Sequence, residues 1–96
     1  MIPKHINISL YYSNSCGHCI KFKPAWEQIK KYITNAHNKN ITFNEYNENE
    51  IKNKEIAGFP TILFAVKMKN INHEVEYTGS RNARDIIDVI QQIRKI

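Results

Sequence analysis

The sequence predicts an α/β fold: a mixed four-stranded sheet in the order β-α-β-α-β-β-α, flanked by three helices. Three observations carry this. Four segments (6–12, 41–46, 61–66 and 73–77) have strand-like alternation or short apolar runs. Apolar residues recur at helical spacing after the first of them and again near the C-terminus. A helical crossover between the first two strands requires them to pair in parallel, while the short link between the last two makes an antiparallel hairpin.

Each element has its own justification. Ile6-Asn7-Ile8-Ser9-Leu10-Tyr11-Tyr12 alternates and is β-prone, and Ser13-Asn14-Ser15 is loop chemistry. Phe22, Trp26, Ile29 and Ile33 then lie on one face of a helix over 17–37, which Asn38-Lys39-Asn40 breaks. The second strand, 41–46, puts Ile41, Phe43 and Glu45 on one face. Residues 48–56 suit a short helix ended by Gly58-Phe59-Pro60. The continuous run 61–66 fits a strand buried on both faces, so helices are expected on both sides of the sheet. Residues 67–72 form a turn, and His73, Val75 and Tyr77 alternate with Glu74 and Glu76 in a strand with one wet face. Asn82 can cap a last helix with Asp85 as its box partner, and Ile86, Ile90 and Ile93 form its apolar stripe.

Ninety-six residues, 42% hydrophobic and 24% charged, suit one domain over 1–96. The formal charge of +5 comes from scattered lysines, which favour acidic partners but mark no nucleic-acid site. Heavy use of Ile, Asn and Lys with few Gly and Ala is the bias of an AT-rich coding sequence. No stretch approaches the roughly 20 apolar residues of a membrane span, and no leader is recognisable. The expected location is the cytoplasm, or the host cytoplasm or virion for a viral source. A monomer with no membrane partner is expected.

Chemistry concentrates at Cys16-Gly17-His18-Cys19, where the first strand hands over to the first helix. A helix N-terminus offers unpaired N–H groups and partial positive charge, both of which stabilise a thiolate. Such a site lowers a cysteine pKa from about 8.5 into the range of about 3.5–7.5. Gly17 lets the backbone turn tightly, and the spacing allows an intramolecular disulfide to close. A protonated His18 would stabilise the reduced form, for an expected potential of roughly −180 to −230 mV. Cys16 is the expected attacking thiolate, and the more buried Cys19 resolves the mixed disulfide.

These residues resemble the catalytic domains of protein disulfide isomerases, within the thioredoxin superfamily. Cys-Gly-His-Cys matches their active-site sequence, and Pro24 falls where the family has a helix-kinking proline. Gly58-Phe59-Pro60-Thr61 resembles its cis-proline loop, and Tyr77-Thr78-Gly79-Ser80-Arg81 the segment after its last strand. The resemblance covers most of the chain. It implies a minimal thioredoxin fold and a thiol-disulfide oxidoreductase with no bound cofactor beyond its redox-active disulfide. Pro60 would pack opposite that disulfide. Gly17, Phe59, Pro60 and Thr61 would then receive an extended substrate strand. The implied partners are protein thiols and disulfides, with a reductase or glutathione for recycling.

The departures are specific. Ser15 stands where the family has tryptophan, and Leu10 where it has a buried acid that exchanges a proton with the second cysteine. The size and the approach Tyr11-Tyr12-Ser13-Asn14-Ser15 are closer to glutaredoxins. Glu45, on the second strand, is the candidate to replace the missing acid.

Other readings stand beside these. A glutaredoxin-type enzyme would hold glutathione as co-substrate with Lys21, the Phe59–Pro60 backbone and residues 79–85. A non-catalytic binding subunit would use the sheet edge and proline loop, with no need of both cysteines. Structural zinc would need two of His5, His18, His37 and His73, whose spacings are not those of zinc fingers, so no metal is expected. Trp26, Phe22 and Ile29 are expected in the core, Tyr11 and Tyr12 in the core or at the site rim. His5, His37 and His73 are expected at the surface. Lys21 and Lys23 read as a solvated helix face or as steering charges, and Arg81 as a surface or capping residue or a glutathione contact.

Overall fold

Strand β1 (Lys4–Tyr12) is the spine of the molecule, because both neighbours pair along almost its whole length. The computed structural model describes residues 4–36, 40–51 and 55–95. Helix α1 (Gly17–Asn35) crosses over to β2 (Ile41–Asn47), which lies parallel to β1. The expected helix end at His37 and its Asn38-Lys39 breaker fall outside the described residues. Strand β3 (Thr61–Met68) returns antiparallel to β1, and β4 (Ile71–Glu76) pairs antiparallel with β3. Helix α2 (Ala83–Lys95) closes the order, and the sheet runs β2-β1-β3-β4.

The core follows from the period of two along β1. Ile6, Ile8 and Leu10 point to one face and meet Ile62 and Phe64 of β3. Phe22, Trp26, Ile29 and Ile33 of α1 and Ile86 and Ile90 of α2 cover them. Trp26 is 1% exposed and meets Phe43 edge-on, with ring centroids 5.6 Å apart. Asn82 caps α2 as expected: its Oδ1 accepts the Asp85 N–H at 2.8 Å while its amide donates to the Asp85 carboxylate.

Three expectations need correction. Among the described residues, 48–56 contributes one 3-10 turn, Glu48–Glu50, and no α-helix. Its Asn47–Glu50 capping box satisfies that single turn, and Ile51 is already extended; Lys52, Asn53 and Lys54 lie outside the described residues. Both α-helices therefore sit on the same face of the sheet. The opposite face pairs its polar groups laterally. Thr42 and Asn44 donate to the Asn7 side-chain oxygen Oδ1, His5 bonds Thr42, and Tyr11 stacks on Tyr46. Finally, the turn expected over 67–72 is confined to Lys69 and Asn70, because Met68 pairs with Ile71. Lys69 takes the left-handed φ of 50° that so tight a reversal demands. As an outer strand, β4 is exposed along both faces rather than one, with Val75 51% exposed.

Ile29 is fully buried between helix and sheet. Ile29→Ala is expected to lower the unfolding free energy by about 2–5 kcal/mol, read from urea denaturation.

Candidate active site

β1 ends at Tyr12, and Ser13, Asn14 and Ser15 carry the chain into α1. Cys16 is the N-cap residue, extended at φ −98° and ψ 114°, and its Sγ accepts the Cys19 N–H at 3.1 Å. The sulfur thus takes the place of the usual capping oxygen. No acidic side chain lies in the first turn, so nothing offsets the positive end of the helix dipole.

The two sulfurs are free thiols in unequal surroundings. Cys16 is half-buried, and Cys19, one turn into the helix, is 8% exposed. The Cys16 pKa lies below the ordinary thiol value. The main cause is the Cys19 thiol bonded to its sulfur; the N–H groups of Cys19 and His18 and the Arg81 charge add to it, against the opposing effect of burial. Cys19 is pushed up to about 11, first by burial and then by its bond to Cys16, while the Ser13 N–H and Arg81 pull it down. The pair is therefore divided into a ready nucleophile and a protonated reserve.

Opposite Cys16 stands the 58–61 loop. The Phe59–Pro60 peptide is cis, and the Phe59 carbonyl accepts from the Cys16 thiol at 3.5 Å. Pro60 and Thr61 are buried, and Thr61 Oγ1 donates to the Gly58 carbonyl at 2.6 Å, pinning the loop. Cys16, Phe59, Pro60 and Thr61 are thus brought together. Gly17 is the first helical residue, without positive φ and with open space around its Cα, so no tight turn requires a glycine there. It leaves the approach to Cys16 uncovered. The His18 side chain is exposed, and its backbone N–H is what acts on Cys16. Pro24 lies within α1, exposed, without ending it.

Glu45 sits beside Leu10 in the parallel register and shares its core-facing side. Lys30 Nζ donates to its carboxylate at 2.6 Å, and that bond holds the Glu45 pKa below the usual carboxylate range. A cavity of about 140 Å³ connects the two halves of the site. Cys19, Pro60, Leu10, Phe22, Trp26 and Glu45 all line it. Trp26 Nε1 helps lower the Glu45 pKa but makes no hydrogen bond of regular geometry, leaving a buried donor beside this space.

Arg81, Lys30 and Ser13 are the residues whose part here was not anticipated. Arg81 acts on both sulfurs, where the sequence alone makes it a surface or capping residue or a glutathione contact. Its one early signal was its place just beyond the last strand. Ser13 is buried although it reads as loop. Among the described residues, no three His, Cys, Asp or Glu side chains converge as a metal site.

A helix-capping thiol of low pKa, a buried partner one turn on and a cis-proline loop facing them define a thiol-disulfide oxidoreductase centre. The chain belongs to the thioredoxin family, whose model matches residues 3–92. Among curated relatives, protein disulfide-isomerase of Zea mays is 37% identical over 85% of this chain, and that of Saccharomyces cerevisiae 30% over 94%. The chain spans 17% of the length of each. Among solved structures, the J-Trx1 fragment of ERdj5 matches 96% of this chain and 44% of its own at a TM-score of 0.77, with 17% identity. Chloroplastic thioredoxin z matches 96% of this chain and 80% of its own at 0.73, with 18% identity. At those identities the two structures speak for the fold alone. At the level of its family, the chain carries a thiol-disulfide oxidoreductase domain.

The unequal thiols set a pH dependence whose sign can be worked out. In the reduced protein the Cys16 pKa is depressed by folding, so its thiolate stabilises the fold above the unfolded thiol pKa. That contribution is lost as pH falls through the folded value. Cys19 acts in the opposite sense: its stabilisation is present below the unfolded thiol pKa and is lost as pH rises toward 11. Iodoacetamide alkylation mapped by mass spectrometry is expected to modify Cys16 alone through the neutral range. Arg81→Ala is expected to move the onset for both cysteines to higher pH.

Proposed function

We propose that this chain exchanges its Cys16–Cys19 dithiol with disulfides of protein substrates through a mixed disulfide on Cys16. The observation that carries this is the division of labour between the cysteines beneath the Phe59 carbonyl. The Cys16 thiolate attacks one sulfur of a substrate disulfide and expels the other as a thiolate. Cys19, giving up its proton, then attacks Cys16 Sγ and releases the second substrate thiolate. The substrate gains two electrons, the pair is oxidised to a disulfide, and the cysteine protons pass to the departing thiolates. Run in reverse, the same steps oxidise a substrate dithiol. A reductase or glutathione resets the pair.

In this reading Gly17 leaves room for the substrate sulfur, and Phe59, Pro60 and Thr61 present backbone to an extended substrate strand. His18, between the two cysteines in sequence and exposed, tunes the potential. The test is direct. Cys16→Ser is expected to reduce insulin-disulfide reduction to background, whereas Cys19→Ser traps a mixed disulfide on Cys16. The wild-type potential in glutathione buffers is expected at roughly −180 to −230 mV. Failure of Cys19→Ser to trap any protein substrate would overturn the proposal.

Glu45 is the proposed proton acceptor for Cys19, in place of an acid at Leu10. Three observations support it: the shared cavity, the Leu10–Glu45 register and the Lys30 pair that keeps Glu45 ionised. The cavity has room for water, and the unpaired Trp26 N–H gives such a water a donor. With its pKa lowered, Glu45 serves as the anionic end of a water path and not as a base matched to Cys19. Glu45→Gln is therefore expected to slow the resolving step by about tenfold, less than the about 10²–10⁴ of a matched base. The pH–rate profile of that step should move upward while Cys16 alkylation is unchanged. An unaltered profile would exclude the role.

A further inference from the structure

The parallel ladder between β1 and β2 ends at the pair Tyr12–Asn47. The next residues on each chain are Ser13 and Glu48, and a side-chain bond continues the pairing where the strands stop. Ser13 Oγ donates to the Glu48 carboxylate at 2.8 Å. With its proton committed there, Ser13 Oγ can only accept from its own loop. It takes the Ser15 N–H at 3.4 Å and lies 3.3 Å from the Ser15 hydroxyl, which must be the donor. The Ser13 carbonyl accepts the Cys16 N–H at 3.3 Å. The backbone N–H of Ser13 acts on Cys19. One residue, 6% exposed, therefore bonds Cys16 through its carbonyl, lowers the Cys19 pKa through its N–H and is anchored by its hydroxyl.

The anchor is itself fixed. Glu48 opens the 3-10 turn whose capping box joins the Asn47 N–H to the Glu50 carboxylate at 2.9 Å and the Asn49 N–H to the Asn47 side chain at 3.2 Å. Its link to the cysteines runs through the Ser13 hydroxyl. We propose that Glu48 is a positioning residue. By holding Ser13 it fixes the turn that carries both cysteines, and in particular the N–H that faces Cys19 when that sulfur must become a thiolate. The inference rests on the two-cysteine cycle proposed above, but it concerns the chemistry of the pair and not the identity of the substrate.

An aromatic disulfide separates the two steps without any protein substrate. The Cys16 thiolate attacks it and releases one aromatic thiolate. Cys19 then attacks Cys16 Sγ and releases the second, so the protein loses two electrons and the reagent gains them. In stopped-flow absorbance the first phase reports Cys16 and the second Cys19. Ser13→Ala and Glu48→Ala are each expected to slow the second phase by about tenfold, the cost of losing one half-buried hydrogen bond to a charged group, with the first phase within about twofold of wild type. Glu48→Gln, which still offers an amide oxygen to Ser13, is expected to restore the second phase. The double variant should lose no more than either single one, because both act through one bond. An unchanged second phase in Glu48→Ala, equal slowing of both phases, or a Glu48→Gln variant as slow as Glu48→Ala would overturn the proposal. A protein that shows these phases yet traps no protein substrate would overturn the substrate reading instead.

Discussion

Everything in the site hangs on one hydrogen bond, the Cys19 N–H donated to Cys16 Sγ at the start of α1. It makes a sulfur the cap of a nineteen-residue helix, so the nucleophile sits at the positive end of the dipole as a consequence of how the helix begins. The same bond sets the geometry of the pair. A residue three positions on is one turn deeper, and that burial, with the bond between the two sulfurs, separates an accessible thiol from a protonated one. The division between Cys16 and Cys19 is therefore a property of helical pitch combined with burial.

The surrounding sheet supplies what the helix cannot. The β1–β3 ladder brings Thr61 opposite Tyr11, which sets the cis-proline loop across from the helix start. The β1–β2 ladder puts Glu45 beside Leu10 and runs out where Ser13 meets Glu48. A single strand beside β1, with the turn that follows it, thus places two carboxylates at the site. Glu45 stands at the cavity behind Cys19, and Glu48 stands under the turn in front of it. Neither is adjacent in sequence to the cysteines it serves.

Among the described residues, no α-helix covers the second face of the sheet. Asn7, Thr42, Asn44 and His5 satisfy one another across the strands, and Tyr11 stacks on Tyr46. Such lateral pairing lets polar side chains occupy a sheet surface without leaving unpaired groups. It also explains why 48–56 could be reduced to a single 3-10 turn among its described residues.

The sequence by itself determined the strands, the two α-helices and the dithiol. Their signals are local: the period of two along β1, the spacing of Phe22, Trp26, Ile29 and Ile33, and two cysteines separated by two residues. Cys16, Cys19, Phe59 and Pro60 were legible as a group because each lies in a motif whose chemistry depends on its neighbours in the chain. The short β3–β4 reversal was missed because Lys67 and Asn72 are polar strand residues, and only pairing with each other distinguishes them from a turn. What the tertiary structure alone decided was a set of side-chain relations between distant segments. Arg81 became an electrostatic partner of both thiols, Lys30 a partner of Glu45, and Ser13 a buried hub rather than a loop serine. Those roles depend on strand register and on the end of one parallel ladder, and register is fixed by packing across the sheet, not by any one segment's composition.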